Sequence, residues 1–235
     1  PKLKDPTLGI QACHHVFLAN ARAVKSFREM GINGQIGFVN VLQPNDPISQ
    51  EPEDLRAWEI AEGIYTHWLY DPVLKGEYPQ DMLVMAQTAF GVPEFHPGDA
   101  ELLKDNIVDF IGLNYYKREM VARNDDVQGF DLNTSGQKGS GGGMGFKGLF
   151  KIVKNPNGVY TDWDWEIYPQ GLTDAIGRIR HRYGEVPIYI TENGLGAKDP
   201  IVNGAVLDQP RIDYLREHIR AVGNAIEQGA DVRGF

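Results

Sequence analysis

The chain has 235 residues, of which 42% are hydrophobic and 23% are charged. This is ordinary globular composition, and we expect residues 1–235 to form a single domain. The formal net charge of -9 argues against non-specific nucleic-acid binding, which needs a basic face. A single cysteine and the lack of any run of 18 apolar residues predict a cytoplasmic protein with no membrane span.

Hydrophobic periodicity predicts helices that alternate with strands. Helices are predicted where apolar side chains recur every three or four positions. These segments are residues 11–30, 49–69, 172–183 and 209–228. In the first helix we expect a core stripe formed by Val16, Ala19, Ala23, Phe27 and Met30. Short apolar runs predict buried strands over residues 35–42, 108–116, 187–191 and 231–235.

Amphipathic helices alternating with continuous apolar strands indicate a parallel sheet covered by helices. Both a (β/α)8 barrel and a doubly wound sheet fit this α/β order. In a barrel, polar residues at the carboxyl ends of the strands form the active site. The predicted strand ends carry Asn40, Asn114, Tyr116, Glu192 and Asn193. This pattern favours a (β/α)8 TIM barrel, of which about half of the strands are present.

A long segment over residues 117–160, rich in Gly, Ser, Asn and Lys, predicts a loop that is either functional or disordered. Residues 143–148 match the pattern G-x-G-x-x-G. They follow no predicted strand and open no predicted helix, so we expect a flexible glycine loop and no dinucleotide site. His14 and His15 are adjacent and point in different directions on a helix, which does not suit a metal pair. We expect no metal site and no cofactor.

Glu192 lies in the sequence ITENGLG, directly after an apolar strand and before a glycine turn. Barrels place catalytic groups at such positions. A solvated loop glutamate that pairs with a nearby arginine is the alternative interpretation. Lysine chemistry of the aldolase type lacks support, because Lys117, the only lysine close after a strand end in these motifs, is expected to be exposed.

Two further segments offer groups that suit a sugar. In GLNYY, strand alternation puts Asn114 and Tyr116 on one face and turns Tyr115 toward the helices. In DWDWEIYP, Trp163 and Trp165 suit a sugar platform, because the C–H faces of a pyranose pack on aromatic rings. A core tyrosine with satisfied hydrogen bonds and two aromatics that cover the barrel rim are the alternatives.

Together, ITENG after an apolar strand, DFIGLNYY upstream and WEIYPQGL between them resemble family 1 of the glycoside hydrolases. The resemblance covers essentially all 235 residues, including HHVFLANARAVKSFRE near the start. It implies about the second half of a (β/α)8 barrel that hydrolyses β-glycosides with retention. The implied nucleophile is Glu192, which Tyr116 would hydrogen-bond and orient. The resemblance further implies that Asn114 contacts the sugar near its 2-hydroxyl and that Trp165 lies near the aglycone.

The chain departs from the family pattern in one respect. The acid/base glutamate of the family stands in an N-E-P motif, and no N-E-P occurs in this sequence. Glu51, in Gln50-Glu51-Pro52, imitates the motif but opens a predicted helix. The family's downstream segment for the outer sugar hydroxyls is not found either. We therefore expect the isolated chain to be inactive or very weak, and a non-catalytic half barrel with weak sugar binding is the alternative.

The motifs also bear on the substrate. The segments TDWDWEIYPQGL and ITENGLGAKDP and the stretch at residues 136–140 resemble the 6-phospho-β-galactosidase branch, whereas DPVLKGEYPQDM is similar to the wider β-glucosidase pattern. They imply a 6-phospho-β-galactoside or 6-phospho-β-glucoside as substrate, with plain β-glucosides and β-galactosides as the alternative. The expected partner is a small carbohydrate such as a phosphorylated disaccharide. An open half barrel exposes strand edges, which predicts a homo-oligomer.

Overall fold

The structure, a computed structural model, describes residues 5–126, 129–131 and 143–235, without the side chains of residues 129–131, 143 and 144. The segment at residues 136–140 that resembles the 6-phospho-β-galactosidase branch lies outside these residues. The chain divides into two compact units. The first consists of Pro1–Phe38 and Glu62–Ile111, and the second of Val39–Ala61 and Gly112–Phe235.

Groups of consecutive helices and groups of consecutive strands follow one another along the described chain. The helices are α1 Pro6–Glu29, α2 Pro52–Glu62, a π-helical turn Gly63–His67, α3 Trp68–Leu74, α4 Gln80–Ala89, α5 Asp99–Asp105, α6 Gln170–Tyr183 and α7 Gln209–Glu227. The strands are β1 Gly37–Val41, β2 Asn45–Pro47, β3 Phe110–Tyr115, β4 Glu119–Ala122, β5 Gly129–Asp131, β6 Gly143–Phe146, β7 Phe150–Val153, β8 Ile188–Asn193, β9 Ile201–Val202, β10 Ala205–Val206 and β11 Val232–Gly234.

The first unit is built around α1, which begins at the N-cap Asp5. The Asp5 carboxylate accepts hydrogen bonds from the backbone N–H of Thr7 and Leu8, at 2.9 and 3.3 Å. The predicted core stripe of this helix is wrong, since Val16 is 55% and Met30 is 66% exposed. The buried face consists of His14, Phe17, Leu18, Ala21 and Val24. Both sets repeat every three or four residues, and the face with Phe17 and Leu18 buries the larger apolar area.

The second predicted helix also differs from the structure. It was expected to end before Pro72, but α3 continues through that proline to Leu74. Pro72 lies in α3 shortly after the π-helical turn, whose hydrogen bonds already depart from the α-helical register.

A four-stranded sheet of order β1-β3-β8-β11 carries the predicted strand ends. The β8 and β11 strands are parallel, with Val232 opposite Ile188. Helices α6 and α7 pack on each other and bury Leu172, Ile176 and Tyr214. Within β3, Leu113 and Tyr115 are fully buried. The predicted strands over residues 108–116 and 187–191 are confirmed to within two residues at each end.

The long loop predicted over residues 117–160 is wrong for the described part of that segment. A second sheet of order β2-β4-β7-β6-β5 occupies it, and Val121 and Phe150 are fully buried there. The expected flexible glycine loop is likewise wrong for residues 143–146, which form β6 and pair with β7. These strands have only three or four residues each, too few for alternation to be visible in the sequence.

The described ranges contain no helix with an apolar stretch of the length and hydropathy that a bilayer crossing requires. Nor do they bring three or more His, Cys, Asp or Glu side chains into an arrangement that would hold a metal ion.

Candidate active site

The carboxyl ends of β3 and β8 bring four polar side chains together. The Tyr116 hydroxyl donates a hydrogen bond to Oε2 of Glu192. The Thr191 hydroxyl donates to Oδ1 of Asn114 at 2.6 Å. Asn114 is buried, Tyr116 is half-buried, and Thr191 and Glu192 are exposed. The two strand ends therefore form a single polar site with an accessible carboxylate.

Tyr115 lies on the opposite face of β3, as strand alternation predicts. Its hydroxyl donates to the backbone oxygen of Tyr168 at 2.5 Å, and its ring centroid lies 5.7 Å from that of His218 in α7. A Cβ at Gly171, in the first turn of α6, would come within 2.4 Å of the Tyr115 hydroxyl oxygen. The glycine thus allows the helix to approach this tyrosine, and the prediction that Tyr115 faces the helices is confirmed.

Two tryptophans adjoin the polar site. The ring of Trp165 lies 5.5 Å from that of Tyr116, and Trp163 packs edge-on against Trp165 at 5.2 Å. Both tryptophan backbone N–H groups donate to the Thr161 hydroxyl at 3.2 Å. The chain after Glu192 passes close by, because a Cβ at Gly196 would lie only 2.5 Å from atoms of the Trp163 ring. The rings therefore form an aromatic surface that begins at the tyrosine bound to Glu192.

Arg118, which the sequence analysis did not select, holds the tryptophan segment to the end of β3. Its guanidinium forms two bonds to the buried carboxylate of Glu166, at 2.9 and 2.7 Å. A third bond of 3.1 Å reaches Asp46, and the guanidinium carbon lies 3.6 Å above the Tyr168 ring. Burial opposes the charge, but the bonds to Glu166 and Asp46 hold the pKa of Arg118 above its ordinary value. Asn155 donates to the same Glu166 carboxylate at 2.7 Å.

Lys117 is not exposed, contrary to the expectation from sequence. Only 6% of this residue is accessible, and its ammonium is paired with the carboxylate of Glu119. Burial raises the pKa of Glu119, and the charge of Lys117 opposes that rise. Glu119 is the first residue of β4, and its pairing with Lys117 keeps the lysine buried. The position of Lys117 after the end of β3 does not reveal this pairing.

A cavity lined by residues 117–120, 152–155, 160, 164 and 166 lies in the second unit. Glu192 is not part of its lining. The basic groups in its walls are matched by carboxylates: Lys117 by Glu119, Arg118 by Glu166, and Lys154 by Asp164 at 3.0 Å. Each basic group in the walls is thus paired with a carboxylate, and we place the candidate site at Glu192.

A second residue that the sequence analysis missed is Tyr214 in α7. The side-chain nitrogen of Asn193 donates to the backbone oxygen of Tyr115 at 2.9 Å and to the Tyr214 hydroxyl at 3.2 Å. The Tyr214 hydroxyl in turn donates to the backbone oxygen of Tyr116 at 3.0 Å. The signal available in the sequence was a pair of polar side chains, Tyr214 and His218, one turn apart on an otherwise apolar face of α7.

The chain is similar to known proteins over its whole length. The sequence model of the family named glycosyl hydrolase family 1 matches residues 1–235. An aryl-phospho-beta-D-glucosidase of Bacillus subtilis is 41% identical over 237 residues, which cover 100% of this chain and 50% of that protein. A 6-phospho-beta-galactosidase of Leptotrichia buccalis is 38% identical over 235 residues, covering 96% of this chain and 50% of that protein.

Solved structures give the same result. The family 1 beta-glucosidase of Thermotoga maritima matches with a TM-score of 0.83 and 30% identity, covering 100% of this chain and 48% of that one. A beta-glucosidase of Exiguobacterium marinum matches with a TM-score of 0.82 and 32% identity, covering 100% and 49%.

The fold and the match over all residues define a part of a (β/α)8 barrel of the glycosidase type. The chain belongs to glycosyl hydrolase family 1. The family and the fold class expected from the sequence are both confirmed. The chain spans about half the length of the curated relatives that it matches.

Proposed function

We propose that this chain carries the nucleophile of a retaining β-glycosidase, Glu192, within one catalytic barrel domain. The observation that carries the proposal is the hydrogen bond from the Tyr116 hydroxyl to Oε2 of Glu192. A donor to a carboxylate favours its ionised form, and an ionised carboxylate is the form that attacks an anomeric carbon. The bond occupies one carboxylate oxygen, and Oε1 is then the atom that attacks.

The surrounding groups suit a sugar bound over that carboxylate. Thr191 occupies Oδ1 of Asn114, so the amide nitrogen of Asn114 is the group that reaches a sugar 2-hydroxyl. Trp165 and Trp163 supply an aromatic surface beside Tyr116 for the sugar or its aglycone. Both carboxyl groups of a retaining enzyme are needed, roughly 5–5.5 Å apart. Since residues 1–235 contain no N-E-P, the acid/base comes from sequence outside them.

We propose that the substrate is a 6-phospho-β-glucoside or a 6-phospho-β-galactoside. We also propose that the protein is cytoplasmic. The names of the relatives from Bacillus subtilis and Leptotrichia buccalis support a phosphorylated substrate for this chain. The double-tryptophan segment with Trp163 and Trp165 adds support, because its sequence resembles the 6-phospho-β-galactosidase branch. A plain β-glucosidase is the second candidate, favoured by the fold match to beta-glucosidases.

The test uses an active polypeptide that contains residues 1–235. This is the complete gene product, or a hybrid in which residues 1–235 replace the matching segment of the Bacillus subtilis relative. We expect hydrolysis of nitrophenyl 6-phospho-β-glycosides to exceed that of the unphosphorylated glycosides. Glu192→Gln should abolish it, whereas Glu185→Gln, at an exposed glutamate before β8, should leave it unchanged.

A mechanism-based label adds a test that does not depend on turnover. A 2-deoxy-2-fluoro glycoside forms a long-lived glycosyl-enzyme with a retaining nucleophile. We expect mass spectrometry to locate the added sugar on the peptide that contains Glu192. A label on another carboxylate, or full activity of Glu192→Gln, would remove Glu192 as the nucleophile.

The isolated 235-residue chain has its own expected behaviour. We propose that it does not turn over nitrophenyl β-glycosides and that it associates with itself. Val39 is 52% exposed on β1, which is an edge strand of its sheet, and such edges pair with other chains. Light scattering would test this, and a monodisperse monomer would contradict it. Weak binding of 6-phospho sugars without turnover would favour the alternative of a non-catalytic sugar-binding fragment.

A further inference from the structure

The Tyr214 hydroxyl connects the two strand ends that hold the candidate site. Tyr214 is only 3% exposed, although its hydroxyl is polar. The hydroxyl donates to the backbone oxygen of Tyr116 at 3.0 Å and accepts from the Asn193 side chain at 3.2 Å. It also interacts with the backbone N–H of Gly194. The hydroxyl thus contacts Tyr116, which donates to Glu192, and the two residues that follow Glu192 in the sequence.

Each bond in this arrangement has a fixed direction. Burial raises the pKa of Tyr214, so the phenol keeps its proton and remains a donor. The Asn193 amide nitrogen also donates to the backbone oxygen of Tyr115, and its Oδ1 is buried without a partner among the described residues. A flipped amide would place an oxygen against the Tyr115 carbonyl oxygen. The side chain of Asn193 is therefore held in one orientation by Tyr115 and Tyr214.

The ring of Tyr214 is itself fixed by its neighbour on α7. His218 stacks on it with ring centroids 3.8 Å apart and planes 26° apart. The Nδ1 atom of His218 lies 2.7 Å from the backbone oxygen of Tyr214, and His218 is fully buried. A helix, which is a rigid element, thus presents the Tyr214 hydroxyl to two strand ends.

We infer that Tyr214 is a positioning residue for the Tyr116–Glu192 pair, a role that rests on the proposed nucleophilic function of Glu192. The hydroxyl bridges Tyr116 to residues 193 and 194, and so it fixes the distance between the phenol donor and the carboxylate that accepts from it. Tyr214 itself does not touch the sugar. Small displacements of a reacting group reduce rates strongly, by about 100-fold for roughly 1 Å.

The test is Tyr214→Phe in the active polypeptide, which keeps the ring on His218 and removes the hydroxyl. We expect kcat/KM to fall by about 10- to 100-fold. We expect the fall to lie in kcat, with KM close to that of the parent, because Tyr214 does not touch the sugar. We also expect slower formation of the glycosyl-enzyme with the 2-deoxy-2-fluoro glycoside. A purely structural tyrosine would leave kcat per folded active site unchanged.

The matched control is Tyr78→Phe. Tyr78 is also buried and bonds through its hydroxyl to Nδ1 of His14 at 2.9 Å, within the first unit. We expect it to lower the melting temperature by a similar amount and to leave kcat unchanged. If Tyr214→Phe does not fold, Asn193→Ala removes the other side of the same link and is expected to lower kcat in the same way.

The outcomes separate the two proposals. If Glu192→Gln is inactive but a folded Tyr214→Phe, or Asn193→Ala in its place, keeps the kcat of the parent, the positioning role is overturned and the nucleophile stands. If Glu192→Gln retains activity, the proposed function fails and the positioning role falls with it. A lower kcat at unchanged KM in the folded variant, with no such change in Tyr78→Phe, supports the inference.

Discussion

The hydroxyl of Thr191 donates a 2.6 Å hydrogen bond to the side-chain oxygen of Asn114 on the neighbouring strand. An amide has one acceptor end and one donor end, and this bond uses the acceptor end. Asn114 is buried, so the bond determines which end of its amide faces the candidate site. Thr191 thereby selects a hydrogen-bond donor, which suits a sugar hydroxyl oxygen.

We expect Thr191→Val to weaken this selection without changing the shape of the side chain. One neutral hydrogen bond contributes about 0.5–1.5 kcal/mol, so kcat/KM of the active polypeptide should fall by up to about tenfold. Thr191→Ser is the control, because it keeps the hydroxyl and should retain most of the activity. Equal kcat/KM values for the valine variant and the parent would show that Asn114 is oriented by other contacts.

Gly196 should not accept a larger side chain. An added methyl would lie 2.5 Å from the Trp163 ring, and that ring packs on Trp165. We expect Gly196→Ala to change the tryptophan fluorescence and to lower the free energy of unfolding by about 1–3 kcal/mol. Gly177→Ala in α6 is the control, since its methyl meets no atom within 4 Å and should be neutral or slightly stabilising. Identical fluorescence of parent and Gly196→Ala would refute the contact.

Arg118→Ala should destabilise the second unit. The substitution leaves the Glu166 carboxylate, of which 4% is exposed, without its two guanidinium bonds. Removal of one partner from a buried ion pair costs about 3–5 kcal/mol. We expect a loss of this size in urea unfolding. Arg123→Ala is the comparison, because Arg123 pairs with Asp125 in solvent and its removal should have little effect. A similar loss in both variants would argue against a special role for Arg118.

His218 should make stability depend on pH. Burial lowers its pKa, and its Nε2 is buried without a partner among the described residues. As the pH falls, His218 therefore binds a proton in the unfolded chain at a pH at which it is still neutral in the folded chain. The free energy of unfolding should be highest above the ordinary histidine pKa of about 6.5 and fall as the pH decreases below it. That fall ends at the lowered pKa of the folded state.

The check is urea unfolding of the parent and of His218→Phe between neutral and mildly acidic pH. The phenylalanine keeps a ring on Tyr214, and the difference in stability between the two proteins should narrow or reverse in favour of the variant as the pH falls. His181→Gln, at an exposed histidine of α6, should follow the parent. Parallel curves for the parent and His218→Phe would contradict the prediction.

The elements nearest the site were predictable because their signals are local. The apolar runs around β3 and β8 identify those strands, and Gly184 and Gly229, both with positive φ, mark the ends of α6 and α7. Alternation along β3 then separates Asn114 and Tyr116 from Tyr115 without any knowledge of the fold. The strand-end positions and the family resemblance together led to Glu192.

What could not be predicted depends on contacts between distant parts of the chain. Arg118 meets Glu166 across 48 positions, and Tyr214 meets Tyr116 across 98. No periodic pattern records such pairs. The buried face of α1 was misassigned for a related reason, because two stripes with the same spacing compete and only the packed neighbours decide between them. Helices of seven residues such as α5 are too short to show a period.

The two adjacent tyrosines at the carboxyl end of β3 face opposite sides of the chain, Tyr115 toward the helices and Tyr116 toward Glu192. Insertion or deletion of one residue within β3 would exchange the sides that the two tyrosines face and would turn Asn114 away from the candidate site. A point substitution changes the contacts of one of these side chains, whereas a change in the length of the strand changes the contacts of all of them. We therefore expect insertions and deletions to be tolerated only in the segments that flank this strand.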